Sequence, residues 1–217
     1  MYNKIGRGKV SQIIISLAAL CLSGCLATVP KQSGFLNHYE GMQPKNGLDL
    51  THISSGTDFS SYDSLYITPV DISHLAPARI QGTDRDKIIK DMQDQFESEM
   101  CYFFKTVTMG SVANHSPSEV LRLDLSVTEL RPSTLTKNAD ATIEGRFVDT
   151  KTGQELATFV DREGGASQKV LVASQLYQTA IGSSFQKLTN LSLILKIWAD
   201  EVGNLILENG DFEKAKS

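Results

Sequence analysis

The sequence predicts an α+β domain: a two-layer sandwich with two long helices on one face of a mixed, mostly antiparallel sheet of about five strands. Two segments place apolar residues at helical spacing, and a third alternates apolar and polar residues as a strand does. The elements follow one another in the order β-α-β-β-β-β-α. Each helix has one apolar stripe and the sheet has one apolar face, so stacking them buries all three.

The first strand and the first helix follow residue 57. Leu65 to Thr68 is rich in β-forming residues and ends before Pro69, which cannot donate to a sheet ladder. Thr83 to Asp86 pairs a Thr cap with an acid three positions on, which predicts a helix start. Lys105 to Met109 is a candidate second strand, and a right-handed crossover is expected between the two strands. The predicted helix carries one apolar stripe: Ile89, Met92, Phe96, Met100 and Phe103.

Residues 120–128 alternate more clearly than any other segment. This period predicts a strand with one buried face and one wet face, and hence a mostly antiparallel sheet. Residues 141–149 and 155–161 form the next predicted pair of strands, joined by a turn from Asp149 that a left-handed Gly153 closes. Residues 164–182 fit either a strand fragment or an apolar loop. The predicted buried face is Leu121, Leu123, Leu125 and Val127, and the wet face is Arg122, Asp124, Ser126 and Thr128.

A second helix ends the domain, with Gly210 just past its predicted end. Its apolar residues recur three or four positions apart: Leu188, Leu191, Leu195, Trp198, Val202 and Leu205. Because the three amphipathic elements need one another's apolar faces, one core is expected to contain Met92, Phe96, Leu123, Leu125, Leu195 and Trp198.

The first 25 residues have the three parts of a secretory leader in order. Residues 1–9 carry Lys4, Arg7 and Lys9 and no acid, and residues 13–22 are an apolar stretch too short to cross a bilayer. They run into Leu22-Ser23-Gly24-Cys25, which resembles the bacterial lipobox. We therefore expect cleavage between Gly24 and Cys25 and lipidation of Cys25, with palmitate among the acyl chains.

The residue after Cys25 is Leu26 and not the Asp that favours retention in the inner membrane. A periplasm-facing anchor on the outer membrane of a Gram-negative bacterium is therefore expected, with the lipid on Cys25 as the membrane contact. The expected organisation is a signal peptide over residues 1–24 and a lipidated tether over 25–57. A single domain over 58–210 and a tail over 211–217 complete it. Phe35 to Tyr39 is too apolar for a plain linker, and we expect it to dock on the domain.

The charge of the chain argues against two classes of partner. The formal net charge is −4, and removing the three cations of the leader leaves −7 for the rest. This balance argues against nucleic acid and against electrostatic docking on anionic lipid. Cys101 would be the one cysteine besides Cys25 in the mature chain, so no internal disulfide is expected. We expect Cys101 to be packed, with an intermolecular disulfide as the alternative.

No residue pattern predicts catalysis, a metal site or a cofactor. Four histidines, all in predicted loops, lack metal-ligand spacing: His38, His52, His74 and His115. Ser183 and Ser184 follow a glycine, but without the GxSxG turn of a serine nucleophile. Five strand carboxylates could be proposed as an acid/base pair, yet the arginines among them favour cross-strand ion pairs. These carboxylates are Asp124, Glu129, Glu144, Asp149 and Asp161, and the arginines are Arg122, Arg146 and Arg162.

An ordered set of short motifs resembles a family of proteobacterial lipoproteins, the domain of unknown function 3313. Its opening motif is similar to Ser33-Gly34-Phe35-Leu36 with Tyr39 and Pro44, and its first strand to Asp58–Tyr62 running into Leu65–Val70. Phe147-Val148-Asp149 with Thr152-Gly153 resembles its hairpin, and Trp198-Ala199 its last helix. The resemblance covers most of residues 33–205, with a departure at 164–182. It implies an envelope lipoprotein and no particular activity.

Three functions stay open from the sequence. The first is a non-enzymatic lipoprotein that binds an envelope partner as an accessory or assembly factor. The second is an envelope hydrolase that uses the strand carboxylates, which requires two of them in one cleft with split pKa values. The third is a carrier of a small apolar ligand, which requires a cavity of at least ~300 Å³ between sheet and helices.

Overall fold

The computed structural model describes residues 30–75, 83–106, 120–131, 140–164 and 189–210. Within these ranges the chain forms one sheet and two long helices. The strands are β1 (Gln43–Lys45), β2 (Leu48–Ile53), β3 (Ser64–Ile67), β4 (Lys105–Thr106), β5 (Val120–Arg131), β6 (Asp140–Asp149) and β7 (Glu155–Gly164). The helices are α1 (Thr83–Met100) and α2 (Thr189–Glu208).

The sheet is mixed, with the strand order β1-β2-β7-β6-β5-β3-β4. Strands β1, β2, β7, β6 and β5 pair antiparallel in that order, whereas β3 runs parallel to both β5 and β4. The parallel pair β3–β4 is connected through α1, as the predicted β-α-β unit requires. The predicted α+β class with a mixed sheet and two helices is therefore confirmed.

The sheet has seven strands and not five, because β1 and β2 come from the segment expected to be a tether. Asn46 and Gly47 both have left-handed backbones, with φ of 57° and 92°, and they close a two-residue hairpin between the strands. Asn-Gly is the preferred pair for such a turn, since both positions need positive φ. β2 then pairs with β7, so residues 43–53 belong to the domain. The expected boundary at residue 58 is wrong for these residues.

The helices and one face of the sheet enclose the main apolar core. Phe96, Leu123 and Trp198 are fully buried there, and the three other residues expected in this core lie in the same cluster. Phe159 of β7 lies over Gly145 of β6, its register partner, where a Cβ would come within 2.2 Å of the ring. The glycine therefore lets the aromatic ring pack against the backbone of the neighbouring strand.

The opposite face of the sheet is buried as well, and the expectation of a wet face is wrong. Ser126, Thr142 and Glu144 on this face are at most 1% exposed. The reason is the N-terminal segment, residues 30–42, which packs on this face. Leu36 and Met42 form a small apolar cluster there with Val160, joined by Phe35, Tyr39 and Leu50. This agrees with the expectation that Phe35 to Tyr39 docks on the domain.

Candidate functional site

Glu144 lies at the centre of the covered face. It is fully buried on β6, where its register partners are Ser126 of β5 and Val160 of β7. The Ser33 N–H donates to its Oε1 at 2.9 Å, and the Tyr39 hydroxyl donates to its Oε2. Both carboxylate oxygens thus accept hydrogen bonds from the N-terminal segment, which compensates the carboxylate for lost water.

Tyr39 also makes hydrogen bonds within the N-terminal segment itself. Its hydroxyl oxygen accepts from the N–H groups of Gly34 at 3.0 Å and Leu36 at 3.2 Å. Gly34 has φ of 90°, a backbone conformation that glycine adopts without strain. Burial and the hydrogen bond to Glu144 raise the pKa of Tyr39, so the hydroxyl keeps its proton and stays a donor.

A charged network lies beside Glu144 on the same face. Arg146 and Asp124 are register partners, with Nε 2.9 Å from Oδ2, and Arg122 Nε lies 3.0 Å from Oδ1 of the same carboxylate. The Arg146 guanidinium also lies over the Phe35 ring, 5.3 Å from its centroid. Arg162 makes a similar 2.6 Å contact with Asp140. The expected ion pairing therefore holds for Asp124 with Arg122 and Arg146, whereas Arg162 pairs with Asp140, which was not among the five expected carboxylates.

A cavity of about 140 Å³ opens where the N-terminal segment meets the end of β5. Its wall at β5 includes a β-bulge: Val127 pairs with Ile143 and Glu129 with Thr142, which leaves Thr128 as the extra residue. The lining side chains are polar or charged: Lys31, Gln32, Ser33, His74, Thr128 and Glu129.

A second group of carboxylates is buried on the helix side of the sheet. Asp161, Glu163 and Glu201 are each at most 8% exposed, and one carboxylate oxygen of each lies within 4.8 Å of the others. Asp161 accepts from Trp198 Nε1 at 2.8 Å and from the Asp49 N–H at 2.9 Å. Among the described residues these three have the spacing that could hold a hard divalent cation. The expectation that the chain carries no metal stays a prediction.

The five strand carboxylates do not share one site. Asp161 faces the helices, on the other side of the sheet from Asp124 and Glu144. Asp149 is the turn residue expected of it: its Oδ1 accepts from the N–H groups of Lys151 and Thr152. Burial alone would raise the pKa of Asp149, but hydrogen bonds from Thr152 and from the Tyr62 hydroxyl lower it below its ordinary value.

A groove of about 290 Å³ separates the end of α1 from α2. Phe103 and Gly203 form part of its wall, and exposed Tyr102 stands at its edge. This groove lies between the helices and not between sheet and helices, where a carrier would hold its ligand.

Cys101, next to this groove, is exposed, so the expectation that it is packed is wrong. The reason is that Cys101 directly follows the fully buried Met100 and continues its helical turn through an N–H bond to Glu97, so its side chain projects away from the buried stripe.

The remaining predicted residues fall in several places. His38 and His74 lie in loops as expected, whereas His52 lies on β2 opposite Thr158. His115, both candidate serines and residues 165–182 lie outside the described residues. So do the lipobox residues Leu22, Ser23, Gly24 and Cys25, whose cleavage and lipidation stay predictions. Neither described helix has the length and apolarity needed to cross a membrane.

Glu163 and Glu201 were not predicted as site residues, although the sequence carries signals for the position of this carboxylate group. Ala157 and Phe159 alternate toward the core, and the same period of two carries Asp161 and Glu163 to that face. Glu201 lies one turn from Trp198 on α2. The link between Tyr39 and Glu144 had no such signal, because it joins residues 105 positions apart.

The fold and its covered sheet face define a small α+β domain whose N-terminal segment is part of the structure. The chain belongs to the family of proteins of unknown function DUF3313, which matches residues 31–202. The match begins at residue 31, within the N-terminal segment that binds Glu144, and ends within α2. The resemblance seen in the sequence is therefore confirmed. No curated protein matches the sequence.

Solved structures resemble this chain only loosely. A PelC dodecamer from Paraburkholderia phytofirmans is 13% identical, with a TM-score of 0.40 over 70% of this chain and 97% of that one. Lipoprotein GNA1162 from Neisseria meningitidis is 17% identical, with a TM-score of 0.32, and the match covers 54% of this chain and 98% of that one. A minor lipoprotein from Acinetobacter baumannii is 11% identical, with a TM-score of 0.31, and the match covers 68% of this chain and 94% of that one. Likeness at this level carries no argument about function.

Proposed function

We propose that this protein is an outer-membrane lipoprotein that faces the periplasm and binds an envelope partner as an accessory or assembly factor, without catalysis. The observation that carries the proposal is the anchoring of Ser33 and Tyr39 on the buried carboxylate of Glu144. This anchoring fixes the chain to the domain only a few residues after the lipobox cysteine.

The short distance along the chain restricts where the domain can be. From Cys25 to Ser33 the chain makes eight residue steps, which span at most about 29 Å when fully extended. A lipid on Cys25 would therefore keep the domain next to the membrane surface. A partner would have to lie at that surface, or reach it, to be bound.

The carboxylate geometry supports binding over catalysis. An acid/base pair must approach one substrate from a shared cleft. Asp124 is instead paired with two arginines, and both oxygens of Glu144 accept hydrogen bonds beneath the N-terminal segment. Asp161 lies on the other side of the sheet. Asp161 has Glu163 and Glu201 beside it, but that group is buried, and Asp124, Glu144 and Asp161 are each at most 7% exposed.

The anchor can be tested directly in a Gram-negative host. Mass spectrometry of the mature protein should find Cys25 as the acylated N-terminus, and Cys25→Ala should release the protein from the membrane fraction. Leu26→Asp should move it to the inner membrane, whereas Leu26→Ala, the matched control, should stay in the outer membrane. An unmodified Cys25 or a mature N-terminus elsewhere would refute the anchor.

The binding role needs a separate readout. Chemical crosslinking in intact cells should give a discrete crosslinked partner for the wild type, and Cys25→Ala should lose that product at equal expression. Equal crosslinking of both proteins would show that the membrane position does not matter. Turnover of an envelope substrate that Asp124→Asn abolishes in the folded protein would refute the non-enzymatic role.

A further inference from the structure

We propose that the 140 Å³ cavity beside the Thr128 bulge binds a small zwitterion, with one oxyanion group and one primary ammonium group. Amino acids and the phosphoethanolamine headgroup both have this chemistry. The cavity lies in the described domain, so the binding itself does not require the lipid anchor; only recognition in a membrane rests on the proposed function.

The lining of the cavity offers complementary groups for the two ends of such a ligand. Lys31 and His74 can donate to an oxyanion, and the Glu129 carboxylate can accept from an ammonium. Lys31 is exposed, so its side chain can turn toward the cavity. Glu129 Oε2 lies 3.8 Å from Arg131 Nη2.

The imidazole of His74 is held in place from two sides. Its Nε2 lies 3.7 Å from Asp71 Oδ2, and its ring stands edge-on to Phe35 with 6.4 Å between ring centroids. Phe35 is itself fixed by Arg146 over its ring. A donor oriented before the ligand arrives loses less conformational entropy when it binds.

Thr128 gives the independent observation that favours a polar ligand. It is 8% exposed, and in the described part of the chain its hydroxyl oxygen has no hydrogen-bond partner. A buried hydroxyl without a partner destabilises the fold, so such a group calls for an explanation. A polar ligand in the cavity that Thr128 lines would supply the partner.

The size of the cavity restricts the ligand. A volume of about 140 Å³ corresponds to roughly five waters at ~30 Å³ each, well below the ~300–1,000 Å³ of a drug-sized site. A free amino acid or a single headgroup matches this scale.

The experiment titrates the purified mature protein in a neutral detergent with phosphoethanolamine and with glycine, followed by NMR. Ethyl phosphate and ethanolamine serve as the half-ligands for phosphoethanolamine, and acetate and methylamine as those for glycine. We expect saturable binding of at least one zwitterion, at least tenfold tighter than either of its matching halves. No saturable binding of either zwitterion, or a half-ligand that binds as tightly, would overturn the proposal.

Two matched variants locate the binding. Thr128→Val should weaken binding about tenfold, the equivalent of one hydrogen bond. Thr51→Val should leave binding unchanged, because Thr51 also has a buried hydroxyl without a partner in the described chain but faces the helices opposite Phe159. Both variants should fold, since a methyl group replaces a hydroxyl that makes no hydrogen bond there. Equal affinities for the two variants would overturn the assignment.

Two further experiments test the ammonium contact and identify the source of the ligand. Glu129→Gln should weaken binding of the zwitterion and leave ethyl phosphate unchanged; equal loss for both would refute the ammonium contact. Cys25→Ala protein that binds phosphatidylethanolamine vesicles over phosphatidylcholine vesicles would identify a lipid headgroup. Binding of the soluble zwitterion alone would identify a free solute. Because the lipid state of Cys25 is measured separately, failure of the anchor would not be mistaken for failure of this site.

Discussion

The two faces of the sheet are both buried, but by different means. The face under the helices is packed with large apolar side chains such as Phe159 and Leu123, together with Trp198 of α2. The opposite face buries polar residues, among them Ser126 and Glu144, beneath an N-terminal segment. A polar sheet face can therefore be buried when a neighbouring segment supplies the hydrogen bonds that its side chains lose with water.

The difference predicts different sensitivities to substitution. The helix face depends on volume and shape, so it should tolerate apolar exchanges and resist truncation. The second face depends on a few donors and acceptors, so it should respond to changes of a single polar atom.

The same truncation on the two faces should give the largest contrast. Leu123→Ala should lower the free energy of unfolding by about 2–5 kcal/mol, because the fully buried site cannot collapse completely. Leu36→Ala should fall near the lower end of that range, since the N-terminal segment can shift to fill the space. Chemical denaturation measures both. If Leu123→Ala melts like the wild type, the assigned core face is wrong.

Removing the carboxylate of Glu144 should have the next largest effect. Glu144→Ala leaves the Ser33 N–H and the Tyr39 hydroxyl without their acceptor, which should cost about 1–3 kcal/mol. Tyr39→Phe should cost about 0.5–1.5 kcal/mol. The double variant should lose less unfolding free energy than the sum of the two single losses, because both substitutions remove the same hydrogen bond. Full additivity would show that Tyr39 and Glu144 act independently.

A smaller, pH-dependent effect is expected at the Asp149 turn, away from both faces. Its pKa in the folded protein is lowered below the ordinary 3.8, so its ionised form stabilises the fold above that pH and the contribution is lost as the pH falls through the folded pKa. Asp149→Asn should therefore be less stable than the wild type at pH 6, and the difference should shrink toward pH 2. Thermal melting across this range is the measurement. A constant difference would contradict the lowered pKa.

The apolar pattern predicted the helix face well and the second face poorly. Periods of two and of three to four residues identify which side chains need burial, and they placed Leu123 and Trp198 in the core. By the same reasoning a polar face is predicted to be exposed to solvent. No local pattern shows that Ser33 and Tyr39 bind Glu144, which lies more than a hundred residues away in the sequence. The anchoring therefore had to come from the structure.

Other differences had local causes in the sequence. The Asn46-Gly47 pair is a strong hairpin signal, but the glycines and prolines around it indicated a tether instead. The bulge at Thr128 shifts the register within an otherwise regular strand, and a strict period of two cannot show it. The polar cavity at that bulge was accordingly not predicted.

Hydrogen exchange of the mature protein tests most directly whether the N-terminal segment is part of the fold. Four amides in the segment, those of Ser33, Gly34, Phe35 and Leu36, donate to side-chain oxygens. All four should exchange far more slowly than in an unfolded peptide, and Tyr39→Phe should release those of Gly34 and Leu36 first. If residues 33–36 exchange in the wild type at the rate of an unfolded peptide, the segment is a flexible leash and the proposed short anchor is wrong.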